Sequence, residues 1–281
     1  MEAVSPPGGD PPQNARPNDA PLLGAPDQVL RDIATGCWRI ELSVGLLFAA
    51  CVVMVFGAVG VNVALRGVNV SYLTIGVTTF AAAWIVSAIM LLGVLGWRRV
   101  VRAERMTTFD LGIRTLILVT LGVTLGYVVY YPLSTAINMV DTAFENRGES
   151  PPRWLSSANI ATIGFEMLFA LAFLVRYIAG LTLLARISVR LGEPRIRAGL
   201  NRLKWISTLV LVLSSLMGSA LIVVYTMDED SGAKVGAGCG LMVCALAALV
   251  CLLWYVRGLD SVRTACLKRL KSREHASSGG A

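Results

Sequence analysis

The sequence predicts an all-α polytopic membrane protein, a bundle of six transmembrane helices with the N-terminus and C-terminus both cytoplasmic. Three observations predict it. Of 281 residues, 55% are hydrophobic and only 15% charged, where a soluble domain carries nearer a quarter charged residues. The apolar residues come in six unbroken runs, about 43–65, 72–96, 111–131, 157–183, 205–227 and 235–256. Runs of this length read as membrane helices, because a helix satisfies its own backbone polar groups in lipid. Finally, the connecting segments alternate in charge, and Lys and Arg gather on the cytoplasmic side of membrane proteins.

Residues 1–26 hold most of the chain's 11 prolines, acidic residues and no apolar core. That composition is not a signal peptide, and it predicts a disordered Pro-rich cytoplasmic tail. A DxxLL element, Asp19 to Leu23, lies within it. Residues 27–42 follow as an amphipathic juxtamembrane helix, with Leu30, Ile33, Ala34, Cys37 and Trp38 at helical spacing. Such a helix is expected to lie on the inner leaflet.

The six spans occupy 43–256. Arg98, Arg99, Arg102 and Arg105 follow the second span, and Arg186, Arg190, Arg195, Arg197, Arg202 and Lys204 follow the fourth. The loops on the other side hold few bases beside acids such as Asp228, Glu229 and Asp230. The sequon at Asn69 falls in one of these outer loops, too short to carry a glycan clear of the bilayer. The longest outer loop carries Ile137, Val140 and Phe144 at the spacing of a short helix. Residues 257–281 form a basic tail in which Leu259, Val262, Cys266 and Leu270 make one apolar face. That face predicts attraction to anionic lipid at about 1 kcal/mol per basic residue, or a calmodulin-type partner. Cys37 and Cys266 stand where lipidation could occur. The six cysteines match no disulfide or metal spacing.

Small residues recur four apart at Gly122 and Gly126, Ser214 and Gly218, and Gly236 and Gly240. Such pairs let helix backbones approach within a bundle, or between copies in a homo-oligomer.

Chemistry is narrowed by what is missing. The single histidine is His275, in the tail, so no imidazole base or axial ligand lies in the membrane. GxSxG, HExxH and phosphate-cradling glycine motifs are absent. No enzyme, catalytic residue, metal or cofactor is expected, and nothing points to nucleic acid.

The remaining candidates sit in "GFEMLFALAFLVRYIAG", residues 164–180, which carries Glu166 and Arg176. Ten residues apart means about 15 Å of rise and about 280° of rotation, so the two cannot pair within one helix. Arginine's long stem can reach headgroups, and Arg176 is read as an inner-leaflet anchor. An acid near the bilayer centre costs roughly 2.5–3.5 kcal/mol, so Glu166 is expected to face the bundle. Thr78, Thr79, Thr124 and Tyr127 lie at similar depth and complete a candidate intramembrane polar site. Two functional readings follow. One is small-solute or ion permeation through the bundle around Glu166. The other is a non-transporting membrane organiser or adaptor, acting through its tails and basic inner surface.

Overall fold

The computed structural model of the chain describes residues 25–64, 72–105, 111–146, 148, 150, 152–226 and 231–278. The tail with its DxxLL element and the sequon at Asn69 lie outside these residues. The described chain is all-helical, in the order α1 (Asp27–Ala64), α2 (Tyr72–Arg105), α3 (Leu111–Asn146), α4 (Arg153–Arg190), α5 (Pro194–Thr226) and α6 (Ser231–Ser278). Among the described residues, five of them, α1, α2, α3, α4 and α6, contain stretches long and apolar enough to cross a membrane. The architecture fits a helical membrane protein.

The helices outrun a bilayer. α1 and α4 have 38 residues each and α6 has 48. At 1.5 Å per residue these are about 57 Å and 72 Å long, against a hydrocarbon core of about 30 Å. The expected juxtamembrane helix 27–42 is therefore no separate element: it runs straight into the first apolar run. The basic tail after residue 256 likewise continues α6, and the outer segment 137–144 continues α3. No proline interrupts the α1 and α6 junctions, and extending a formed helix is easier than nucleating a new one. Pro132 does lie inside α3. Just after it, the Ser134 and Thr135 hydroxyls both donate to the Tyr131 carbonyl, at 2.9 Å each.

Each helix packs on the next in sequence, and α6 returns to pack on α1, closing the order into a ring. Most of the best-buried side chains lie at the end of the ring that carries both termini. Leu30 and Ile33 of α1, Val100 and Val101 of α2, Leu184 and Ile187 of α4, Leu203 of α5 and Leu259 of α6 are all less than 2% exposed and fall outside the apolar runs. Ile117 and Leu181 are as well buried inside the runs, and Leu155 at the far end of α4. Elsewhere within the runs the pattern inverts: Ile85, Met167, Leu171, Leu209, Val243 and Val250 are all well exposed. A soluble protein would hide such a belt; a bilayer covers it.

That core corrects the two surface helices. Leu259, Val262, Cys266 and Leu270 of α6 are buried in the same cluster as Leu30, Ile33 and Cys37 of α1. The two apolar faces cover each other rather than lipid. Charge pairs line the same seam: Arg273 meets Asp27 at 2.7 Å, Arg263 meets Glu41 at 3.7 Å and Arg31 meets Glu274 at 3.6 Å. Arg273 also donates to the Ala25 carbonyl.

The α4–α5 turn is dictated by "LGEP". Gly192 takes φ +72°, a left-handed conformation that favours glycine. Its N–H reaches the Val189 carbonyl, and the Glu193 N–H reaches that of Ser188, closing a Schellman motif. Pro194 opens α5, where its missing N–H costs nothing. The Leu191 carbonyl accepts a 2.6 Å bond from Arg269 of α6, so the C-terminal helix ties down this turn as well.

Close helix contact is made elsewhere than expected. A Cβ on Gly122 would meet nothing within 4 Å, and one on Gly126 only Phe165 at 3.6 Å. Ser214 returns its hydroxyl to its own helix at Val210, and Gly240 is half-buried. The packing of Gly218 and Gly236 lies outside the described residues. The backbones that touch belong to α1 and α2, where a Cβ on either Gly36 or Gly96 would fall 2.8 Å from the other's carbonyl oxygen. Ser43 fastens the same crossing with a 2.8 Å bond to the Ile89 carbonyl.

Candidate functional site

The polar residues of the spans converge on the seam between α3 and α4. Thr120, Thr124, Tyr127 and Tyr131 recur at steps of four, three and four, which puts them on one face of α3. Thr162, Phe165, Phe169, Phe173 and Arg176 do the same on α4. The facing rings stack: Tyr127 lies 3.8 Å from Phe169 and 5.5 Å from Tyr131, and Tyr130 lies 4.6 Å from Phe165. The Tyr130 and Thr162 hydroxyls are 2.7 Å apart.

At one end of this aromatic seam lies Arg176, only 9% exposed. Its guanidinium is 5.3 Å from the Phe173 ring centroid and donates to the Thr124 hydroxyl. Thr124 passes its own proton to the Thr120 carbonyl at 2.8 Å. Buried Tyr255 of α6 is an electrostatic neighbour of the guanidinium, and its ring lies 5.2 Å from that of Tyr177. Tyr177 in turn reaches the Ser207 hydroxyl of α5. These contacts link four helices around one buried cation, α5 through Tyr177, and among the described residues no carboxylate meets it.

This arrangement exchanges the roles expected for the two charges. Glu166 is exposed on α4 and touches the cluster only through its electrostatic influence on Tyr127. Arg176 reaches into the bundle instead of out to headgroups. Helix geometry explains the exchange. Measured from Phe165, which faces α3, Arg176 lies about 20° round the helix and Glu166 about 100°. The phenylalanines set the facing sector, and Glu166 falls at its margin. Thr124 and Tyr127 are buried members of the cluster. Thr78 and Thr79 are exposed on α2 and do not join it.

Guanidinium chemistry limits what the cluster can do. Arginine keeps its proton at any accessible pH, so the cluster cannot relay protons through it. It can attract an anion, or it can hold four helices in register through charge-assisted hydrogen bonds. Among the described residues, no group of three or more His, Cys, Asp or Glu is placed to hold a metal.

The lipidation sites are also corrected. Cys37 and Cys266 are both 0% exposed and are electrostatic neighbours across the α1–α6 seam. A thiol enclosed in apolar side chains is inert to acylation unless the seam opens.

Three signals were in the sequence but unread. Tyr177, Ser207 and Tyr255 are polar groups at span ends, recognisable as partners only once the ring order is known. Glu41 and Arg263 needed the pairing of α1 with α6. Gly36 and Gly96 lie on different helices, so no spacing within one segment marks them. Comparison with protein-family models, with curated proteins and with solved structures found no match to this chain.

Proposed function

We propose that the chain is a six-span integral membrane protein, with both termini cytoplasmic, that works as a non-enzymatic membrane organiser. The observation that carries this is the helical extension beyond the apolar runs. It buries the tightest core of the chain, while Arg98, Arg102, Arg195, Arg197, Arg202 and Arg257 stand exposed around it. A rigid basic platform joined to a bilayer suits the recruitment of anionic lipid or acidic partners to one face. The solid packing also argues against a pathway at that end, where Trp97 fills the space beside Gly180. A topology reporter tests the orientation: fused after Ala281, it reads out from the cytoplasm. An external signal would sink the model of six spans.

A second reading is favoured by the unpaired Arg176, since ionisable groups inside a membrane are functional by default. On this reading the cluster admits small anions. Reconstituted vesicles separate the two readings. The organiser predicts no flux of chloride, phosphate or small carboxylates, whereas an anion pathway predicts flux that Arg176→Gln abolishes. Either way Glu166→Gln leaves flux unchanged, and a loss on that substitution would restore Glu166 to the mechanism.

A further inference from the structure

We propose that the groove between the first turns of α5 and the middle of α6 binds the headgroup of an anionic phospholipid. The groove has a volume of about 230 Å³, and Arg195, Gly199, Trp254, Arg257, Gly258 and Ser261 are among the residues lining it. Arg195 and Arg257 approach it from different helices, both exposed. Among the described residues neither forms a salt bridge. Two guanidinium groups facing one small space match the charge and the acceptor oxygens of a phosphodiester.

Its depth identifies the source of the phosphate. Trp254 is 37% exposed and ends the last apolar run, where aromatic side chains mark the interface. Ser261 lies seven residues further along α6, about 10 Å, comparable with the roughly 5–8 Å of headgroup layer on each side of a bilayer. In the other direction, exposed apolar side chains follow on the same faces of the two helices. Val250 and Leu246, one and two turns from Trp254 on the same face of α6, are 60% and 58% exposed. Ile206 and Leu213, on the Gly199 face of α5, are 43% and 47% exposed. A free phosphate has no use for these side chains, but an acyl chain does. Close helix approach forms the floor, since a Cβ on Gly258 would collide with Leu200 at 2.7 Å. Gly199 is the reverse case, with nothing within 4 Å of an added Cβ, so a side chain there enters the groove without displacing the fold.

This inference rests on the organiser reading, in which the basic platform faces the headgroups. The test uses the full-length protein in detergent micelles, with native mass spectrometry counting retained lipid after addition of phosphatidylglycerol or phosphatidylcholine. Wild type is expected to retain one phosphatidylglycerol in preference to phosphatidylcholine. Arg195→Gln with Arg257→Gln weakens retention by roughly thirtyfold, and Gly199→Leu abolishes it with the thermal midpoint preserved. Glycerol phosphate, the headgroup chemistry without chains, fails to compete. Competition by glycerol phosphate would overturn the assignment to lipid. Retention unchanged in Gly199→Leu, but lost in Arg98→Gln with Arg102→Gln, would overturn the groove and leave the organiser reading standing. No preference for phosphatidylglycerol in any variant would sink both.

Discussion

Arg176 and Thr124 hold the most consequential side-chain contact in the spans, because a buried cation has few ways to recover its lost hydration. Removing the acceptor alone strands the donor. Thr124→Val is therefore expected to destabilise the protein by about 1–3 kcal/mol, read as a lower unfolding midpoint in detergent. Arg176→Met removes the charge along with its need for a partner. Replacing a buried ion by an apolar side chain of similar volume is often neutral or stabilising, and the double variant should cost less than the sum of its parts. Equal, additive losses would show that the two residues do not interact. At the α4–α5 turn, Gly192→Ala faces both a left-handed φ and the Arg269 guanidinium, 3.0 Å from the new Cβ. The conformational cost alone is about 1–2 kcal/mol, and a midpoint equal to wild type would contradict the turn geometry. The exchange of Glu166 and Arg176 shows where residue-scale reading stopped. Sequence placed both on one helix, but a face is set by the phase of the whole helix. The phase depended on Phe165, Phe169 and Phe173, whose stacking partners lie on α3.

Among the elements, α1 and α6 carry the clearest lesson about legibility. Both amphipathic faces were evident from spacing: Leu30, Ile33 and Cys37 on one, Leu259, Val262, Cys266 and Leu270 on the other. Periodicity says which side of a helix is apolar and is silent on what covers it. Lipid and a second helix satisfy the same pattern, and only the ring closure decides between them. The buried seam predicts that Cys37 and Cys266 resist maleimide in the folded protein and react once the chain is unfolded in denaturant. Leu259→Ala should cost about 2–5 kcal/mol and bring Cys266 into reach of the reagent. Fast labelling of both thiols in wild type would place α6 away from α1. The charge pairs on this seam differ in weight. Arg31 and Glu274 have side chains 61% and 64% exposed, and such surface pairs contribute little. Arg273 and Asp27 are closer, and Arg273 also donates to the Ala25 carbonyl, so reversing Arg273 to Glu is the more damaging change, and Asp27→Arg should restore the ion pair it removes.

For the molecule as a whole, the membrane class was legible because composition and run length report on lipid directly. The division into an exposed apolar belt and a buried core beyond it was not, since hydropathy scores both as apolar. Truncation separates them. A chain ending after Gly258 keeps every apolar run, so it should still insert; without the last two-fifths of α6 it should unfold at a lower temperature and expose Cys37. Unchanged stability would mean that the extensions do not share a core.

The return of α6 to α1 has a further consequence, for the order in which the protein is made. Of its two neighbours in the ring, α1 gains α2 early, whereas α6 is the last of the six described helices to be made. At about 5–20 residues per second, the stripe of Leu30, Ile33 and Cys37 waits on the order of ten to forty seconds for Leu259, Val262 and Cys266. Meanwhile it must rest on α2, on the membrane surface or in the care of a chaperone. The arginines that tie α6 down, Arg269 and Arg273, are made only after every apolar run. A stop codon placed between the last apolar run and these arginines is therefore expected to yield an inserted protein whose ring does not close.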